Sequence, residues 1–387
     1  MIHTILSMLA TFFVHPLFYV GILCLAMIGA TRVAKERASF HTRVYGKRAE
    51  FILTVLPSLL AGFAISILTI SFGITMSLPL LLGLAIVPIL FFCGRALQLQ
   101  TPAYTMSLVL CCFVVLSFFS VPNMFTTQLK EAAWLPSLFL LQALLLFAQS
   151  MLIRHNGATL SSPQLSYSKR GRLIGTHQMK RLWLLPVVVF IPEGLLPGFA
   201  MTFGDVSVQP ILVPFLLGFQ KNTHAFLPTV AARREAVPYF ISACLSLLMA
   251  MGLYMYASPW LALIGALSIG IIHASSSYYV YRKEQQQPPL FTEEEKSVRI
   301  VGILPGSPAA KMGLAIGEEI VNVNGCVVFD ERTLYGALQK NPVFCKLKIR
   351  DRAGELRLVQ GALYDGEHHQ MGVLLVRRDE KRIDSVI

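Results

Sequence analysis

Residues 51–72 read FILTVLPSLLAGFAISILTISF, from Phe51 to Phe72, without one charged side chain. A helix rising about 1.5 Å per residue needs about 20 apolar residues to cross the roughly 30 Å hydrocarbon core, so this stretch predicts a membrane-crossing helix. Runs 4–31, 78–94, 103–121, 135–153, 236–257 and 259–281 have the same character. Of the 387 residues, 55% are hydrophobic and only 14% are charged. Ordinary globular proteins carry roughly 25% charged residues, so the composition excludes a soluble enzyme, a disordered tail protein and a disulfide-stapled secreted domain. The seven cysteines are scattered and form no C-x-x-C pair, which reads as buried, inert thiols. The amino terminus lacks the basic stretch of a signal peptide, so the first apolar run is expected to stay in the mature protein.

Charge separates two materials. Residues 1–290 hold 19 Lys and Arg against 7 Asp and Glu, the whole of the +12, while residues 291–387 balance at 14 of each. The excess lies in short loops between apolar runs, which points to membrane orientation and away from nucleic acid. Arg32, Lys35, Arg37, Arg43, Lys47 and Arg48 follow the first run, and Arg154, Lys169, Arg170, Arg172, Lys180 and Arg181 follow the fifth. Both loops are therefore expected in the cytoplasm, with anionic lipid headgroups as neighbours, and the segment after Arg282 and Lys283 with them. Residues 183–219 contain Pro186, Pro192, Pro197, Pro210 and Pro214. Proline removes an amide donor and clashes with the preceding turn, so two short broken spans or a re-entrant hairpin are expected here. His15-Pro16 raises the same question for the first run, which either crosses once or dips and returns.

After Gln285-Gln286-Gln287-Pro288-Pro289 the composition turns globular. Residues 298–314 read VRIVGILPGSPAAKMGL, followed by Gly317-Glu318-Glu319-Ile320 and Asn324-Gly325. Ser307 can cap a short helix begun by Pro308, Gly313 can end it in the left-handed region, and Asn324-Gly325 is a hairpin-turn pair. Leu334 and Leu338 share one face of a helix predicted from about Asp330 to Lys340. This pattern resembles the bacterial PDZ domain over residues 298–376. Such domains add an extended peptide to a sheet edge and hold its terminal carboxylate on backbone amides. The resemblance implies a peptide site bordered by Met371, Gly372 and Val373 at the carboxyl end, as a circular permutation would place them, with Leu334 and Leu338 opposite. Met371, Gly372 and Val373 can also be read simply as the last structural strand. The whole chain then reads as an α-helical multi-pass membrane domain followed by a small α+β PDZ domain of the permuted bacterial type. Residues 1–284 are the membrane part with about seven spans, 285–297 a polar linker, 298–376 the PDZ domain and 377–387 a charged tail.

The H-E-x-x-H pattern that holds zinc and a base is missing, as are G-x-S-x-G, the P-loop and G-x-G-x-x-G. No catalytic residue, metal or cofactor is expected. Glu193, between Pro192 and Gly194, is an intramembrane polar candidate, because an ionisable group at membrane depth is expensive and usually functional; Pro192 and Gly194 can equally set it at an interface. His155, His177 and His224 read as solvated or lipid-facing.

Phe13-Val14-His15-Pro16-Leu17-Phe18-Tyr19, Phe40-His41-Thr42-Arg43-Val44-Tyr45 and His368-His369-Gln370-Met371-Gly372-Val373, together with the arrangement of spans and tail, resemble the MinJ family of cell-division topological determinants of Gram-positive rods. The resemblance implies an adaptor at the cell membrane, multi-pass with its PDZ domain in the cytoplasm, enriched at poles and septum. It also implies partners: the polar coiled-coil protein DivIVA and the division inhibitors MinC and MinD. The residues alone support a membrane-held peptide- or protein-binding module. Two other readings stay open: a transporter or channel regulated by its PDZ tail, and a non-catalytic regulator of a membrane protease.

Overall fold

The computed structural model describes residues 2–94, 96–118, 134–192, 201–203, 206–292, 297–341, 343–362 and 371–376. The chain begins with α1 (Ile2–Val14), α2 (Pro16–Phe40), α3 (Ala49–Ser71), α4 (Leu78–Cys93), α5 (Pro102–Phe118) and α6 (Leu135–Asn156). Strands β1 (Ser162–Tyr167), β2 (Leu173–Pro192), β3 (Met201–Phe203) and β4 (Val206–Thr223) come next, then α7 (Pro228–Met255) and α8 (Pro259–Gln285). Helices α2, α3, α6, α7 and α8 are long and apolar enough to cross a membrane; α1, α4 and α5 are shorter. The first run breaks at His15-Pro16. Pro16 lacks the amide donor that would continue α1, and the His15 Nδ1 accepts the Leu17 N–H at the start of α2.

The segment at 183–219 is extended, not helical, where the structure describes it, and it goes out and returns as two antiparallel strands. It belongs to a long antiparallel pair, β2 against β4, in register from His177↔Thr223 to Pro192↔Val208. Val187-Val188-Val189 and the aromatic neighbours favour extended backbone, and the prolines that forbid helix are placed where a strand tolerates them. Pro186 faces Pro214, Pro210 faces Phe190, and Pro192 faces Val208. All four prolines therefore stand at even-numbered positions, whose N–H would point away from the partner strand. Phe190 and Leu212 share this parity, and their N–H groups do point outward: to the Ile74 carbonyl at 3.0 Å and the Thr11 Oγ1 at 3.3 Å.

Helices and the turns between them satisfy several of the remaining edge groups. The Ser66 Oγ accepts the Val188 N–H at 3.0 Å, and the Thr69 Oγ1 donates to the Val188 carbonyl at 2.6 Å. Met76 N–H donates to the Phe190 carbonyl, the Gly218 N–H to the Gln100 carbonyl, and the Gln149 Nε2 to the Gly218 carbonyl. Helix α3 lies along β2 from the Arg181–Glu50 ion pair to the Thr69–Val188 bond. About 19 helical steps and 7 strand steps separate these contacts, roughly 29 Å and 23 Å of rise, so the ribbon runs most of the depth of a spanning helix. Close approach is required, and a Cβ on Gly62 would stand 2.5 Å from the Pro186 carbonyl oxygen.

The carboxyl-terminal region is α/β. Its elements are β5 (Val298–Ile303), α9 (Pro308–Lys311), β6 (Glu319–Val323), β7 (Cys326–Val327), α10 (Glu331–Gln339), β8 (Phe344–Arg350), β9 (Leu356–Ala362) and β10 (Val373–Leu375). The sheet order is β10-β5-β6-β8-β9, with β7 pairing β6.

Replacing Ser66 by Ala and Thr69 by Val together should cost roughly 1–3 kcal/mol of unfolding free energy, because the Val188 N–H and C=O lose partners in a dry interior. Thermal unfolding in lipid nanodiscs, followed by the fluorescence of buried Trp183, would measure it. Gly62→Leu should be more damaging, since the Pro186 backbone cannot move aside.

Candidate peptide-docking site and its seat

The basic loop after α2 is folded back by a buried ion-pair cluster. Arg32 pairs with Glu36 at 3.1 Å and with Glu50 at 2.9 Å, and Arg181 pairs with Glu50 at 2.6 Å. Glu36 also accepts the Val44 N–H and the Ser162 hydroxyl, and Arg32 donates to the Gly46 carbonyl. Arg32 and Arg181, read in the sequence as orientation charges in solvated loops, are therefore almost fully buried. A buried ion pair adds little net stability but fixes geometry. Here it fixes where Val44 and Tyr45 stand.

Those residues form a seat. Phe40, Val44, Phe291, Val301 and Leu374 make one apolar cluster joining the end of α2, the loop and the carboxyl-terminal module, with Tyr45 and Leu165 packed against it. The stretch 285–297 is not merely a polar spacer: Phe291 is completely buried, and its carbonyl accepts the Gly175 N–H at 2.8 Å. Leu290 N–H donates to the His224 carbonyl, and Arg299 to the Leu290 carbonyl. His177 is likewise not solvated; it is buried, its Nδ1 bonded to the Ser161 hydroxyl and its ring 5.1 Å from that of Phe291.

Within the module, local expectations take their expected form. The Ser307 Oγ accepts the Ala310 N–H, Gly313 has φ +70°, and Asn324-Gly325 have φ +50° and +84° in the β6–β7 hairpin. Asp330 caps α10 through the Thr333 N–H. The largest influence on Glu319 is burial, which would raise its carboxyl pKa. The guanidiniums of Arg299 and Arg350 more than offset this and hold it below the usual carboxylate range.

The five sequence-derived positions of the peptide site come together. Met371, Val373, Leu334 and Leu338 share one buried cluster, with both leucines at 0% exposure. They are core residues, not the open wall of a groove. Gly372 turns the chain into β10 with φ +79°, and its carbonyl accepts the Leu304 N–H at 2.8 Å. Even positions of β10 therefore face β5, and Val373 turns its own N–H and C=O toward the other side. No described strand pairs there, because β10 ends the sheet order. Its alternate side chains divide: Val373 and Leu375 enter the module core, while Leu374 enters the seat. Glu193 lies outside the described residues. Among the described residues no group of three His, Cys, Asp or Glu side chains is placed to hold a metal ion.

These features define a membrane protein of several apolar helices with an α/β module docked on one end, whose strand β10 has an edge that no described strand pairs. The chain is 28% identical over 380 residues to the cell division topological determinant MinJ of Bacillus subtilis (strain 168), covering 96% of this chain and 94% of that one. It is 27% identical over 243 residues to probable MinJ determinants of Lacticaseibacillus paracasei and Lacticaseibacillus casei (strain BD-II), covering 62% of this chain. No family model and no solved structure matches. The chain is MinJ-like over nearly its whole length, as the residue strings implied.

Phe291→Ala should loosen the seat by about 3–5 kcal/mol, the usual cost of deleting a buried aromatic ring. Faster amide exchange in β1 and β5 together would show it; unchanged exchange would assign the docking elsewhere. Glu319 has a folded pKa below its unfolded value of about 4.3, so its contribution is fully present above that pH and fades as pH falls through the folded value. Arg350→Gln should move this acid-induced loss of β6 protection to higher pH.

Proposed function

We propose that the chain is a membrane scaffold for division-site selection, presenting a PDZ-type module on the cytoplasmic side and enriched at poles and septum. In this reading it bridges the polar coiled-coil protein DivIVA to the inhibitor pair MinC and MinD. The observation that carries it is the nearly full-length similarity to a protein named for division topology. The β10 edge, which no described strand pairs, supports the peptide-binding part, since an unpaired strand edge accepts an extended segment through main-chain hydrogen bonds. Anchoring in a membrane raises the effective concentration among partners, so individually weak contacts suffice.

A fluorescent fusion imaged in dividing rod-shaped cells tests the localisation. Midcell and polar enrichment that vanishes without the polar coiled-coil protein is expected; uniform membrane signal in both strains would refute the scaffold. The edge is tested at Val373. Val373→Pro removes the outward amide donor, whereas Val373→Ala removes a similar part of the core packing and keeps the donor. Loss of MinD recruitment in the first variant alone is expected. A bulky residue at Gly372 is a poorer probe, because its Cβ would stand 2.2 Å from that of Ser307 and break the turn itself.

A further inference from the structure

The strands β1, β2 and β4 continue beyond the end of α3 as a small sheet with two unlike faces. Odd-numbered positions lie under the module: Pro163 stands below Gly302, Leu165 joins the seat, and Gly175 and His177 meet Phe291. Even-numbered positions face the opposite way. Gln164, Ser166, Thr176 and Asn222 line one wall of a cleft of about 900 Å³, closed by Tyr281 and Gln285 at the end of α8 and by the following residues to Pro289.

Among the described residues the lining has one sign of charge. Lys169, Arg170 and Arg172, at the β1–β2 turn, are exposed and hold no ion pair among the described residues. Among the described residues no carboxylate lines the cleft. The Gln178 side chain organises its floor, accepting from Lys35 and Gln164 and donating to Asn222. A concave wall of amides and hydroxyls below a cationic rim suits an extended backbone that carries negative side chains.

Distance argues against lipid headgroups as the occupant. Arg181 pairs with Glu50 in the first turn of α3, and β2 covers about 26 Å from Arg181 to its first residue, Leu173, with Arg172 in the turn beyond. The headgroup layer adds only about 5–8 Å to each side of the hydrocarbon core. Tyr278 and Arg282, and Tyr279 and Lys283, form cation–π pairs on α8, as at a membrane boundary, and the cleft runs from Tyr281 beside them out to the β1–β2 turn. We propose that this cleft docks an acidic, extended segment of a partner protein, at a site separate from the β10 edge.

The test uses the full chain in nanodiscs of uncharged phosphatidylcholine, titrated with a fluorescein-labelled peptide of alternating Glu and Ser and read by anisotropy. Expected is saturable binding that weakens with salt and falls roughly tenfold when Lys169, Arg170 and Arg172 are all changed to Gln. Ser166→Trp fills the cleft without changing charge and should also abolish binding, while Val373→Pro should bind as the parent does. Equal binding by the triple variant or by Ser166→Trp would overturn the proposal, as would no binding to the parent. Displacement of the peptide by phosphatidylglycerol placed in the nanodisc would overturn it too, by assigning the cleft to lipid. Unchanged Trp183 fluorescence unfolding in each variant confirms that the fold is intact.

Discussion

A two-stranded ribbon has two open edges, and in an apolar slab each unpaired N–H or C=O costs several kcal/mol. The β2–β4 pair meets this constraint in two ways. Prolines 186, 192, 210 and 214 delete donors at outward positions, and Ser66, Thr69, Thr11, Gln149 and the turn at Ile74–Met76 supply partners for the outward groups of Val188, Phe190, Leu212 and Gly218. The helices around the ribbon are consequently bound to it by register as well as by packing. A shift of α3 by one residue along β2 would carry Ser66 and Thr69 away from Val188 and orphan both groups at once.

This explains which parts of the chain were legible. The apolar runs, the break at His15-Pro16 and the module's turns follow from length, proline chemistry and left-handed positions, all local properties. The ribbon did not follow, because its prolines were weighed as breakers of helices and their common parity has meaning only once a partner strand is assumed. A signal was nevertheless present in α3, where Glu50, Thr54, Ser58, Gly62 and Ser66 recur every four residues and are buried. Such a small and polar stripe on an otherwise apolar helix marks a face that must approach another backbone closely.

The docking seat was hidden for a different reason. Phe40, Val44 and Tyr45 belong to a string that marks the family resemblance, but charge counting treats their loop as an orientation signal. Their packing role depends on Phe291, about 250 residues later in the chain, and on the Arg32–Glu36–Glu50–Arg181 cluster that folds the loop back. Four charged residues from three elements cannot be paired by pattern alone. Met371, Val373, Leu334 and Leu338 could be placed in one module because its own sequence is locally consistent, and their burial shows that they build its core.

One strand joins the two halves. Residues 181–190 of β2 are held among the helices, and residues 173–178 of the same strand carry β1 and the module's seat. A flexible linker would leave the module free to rotate about its tether. Here Gly175 bonds to Phe291, Leu290 bonds to His224, and Leu374 of the edge strand packs between them and α2. The height and orientation of β10 relative to the spanning helices are therefore set by a hydrogen-bonded strand that passes through both. A partner captured on that edge would be held at a fixed position above the membrane, which is what a spatial determinant requires and what tethering alone does not provide.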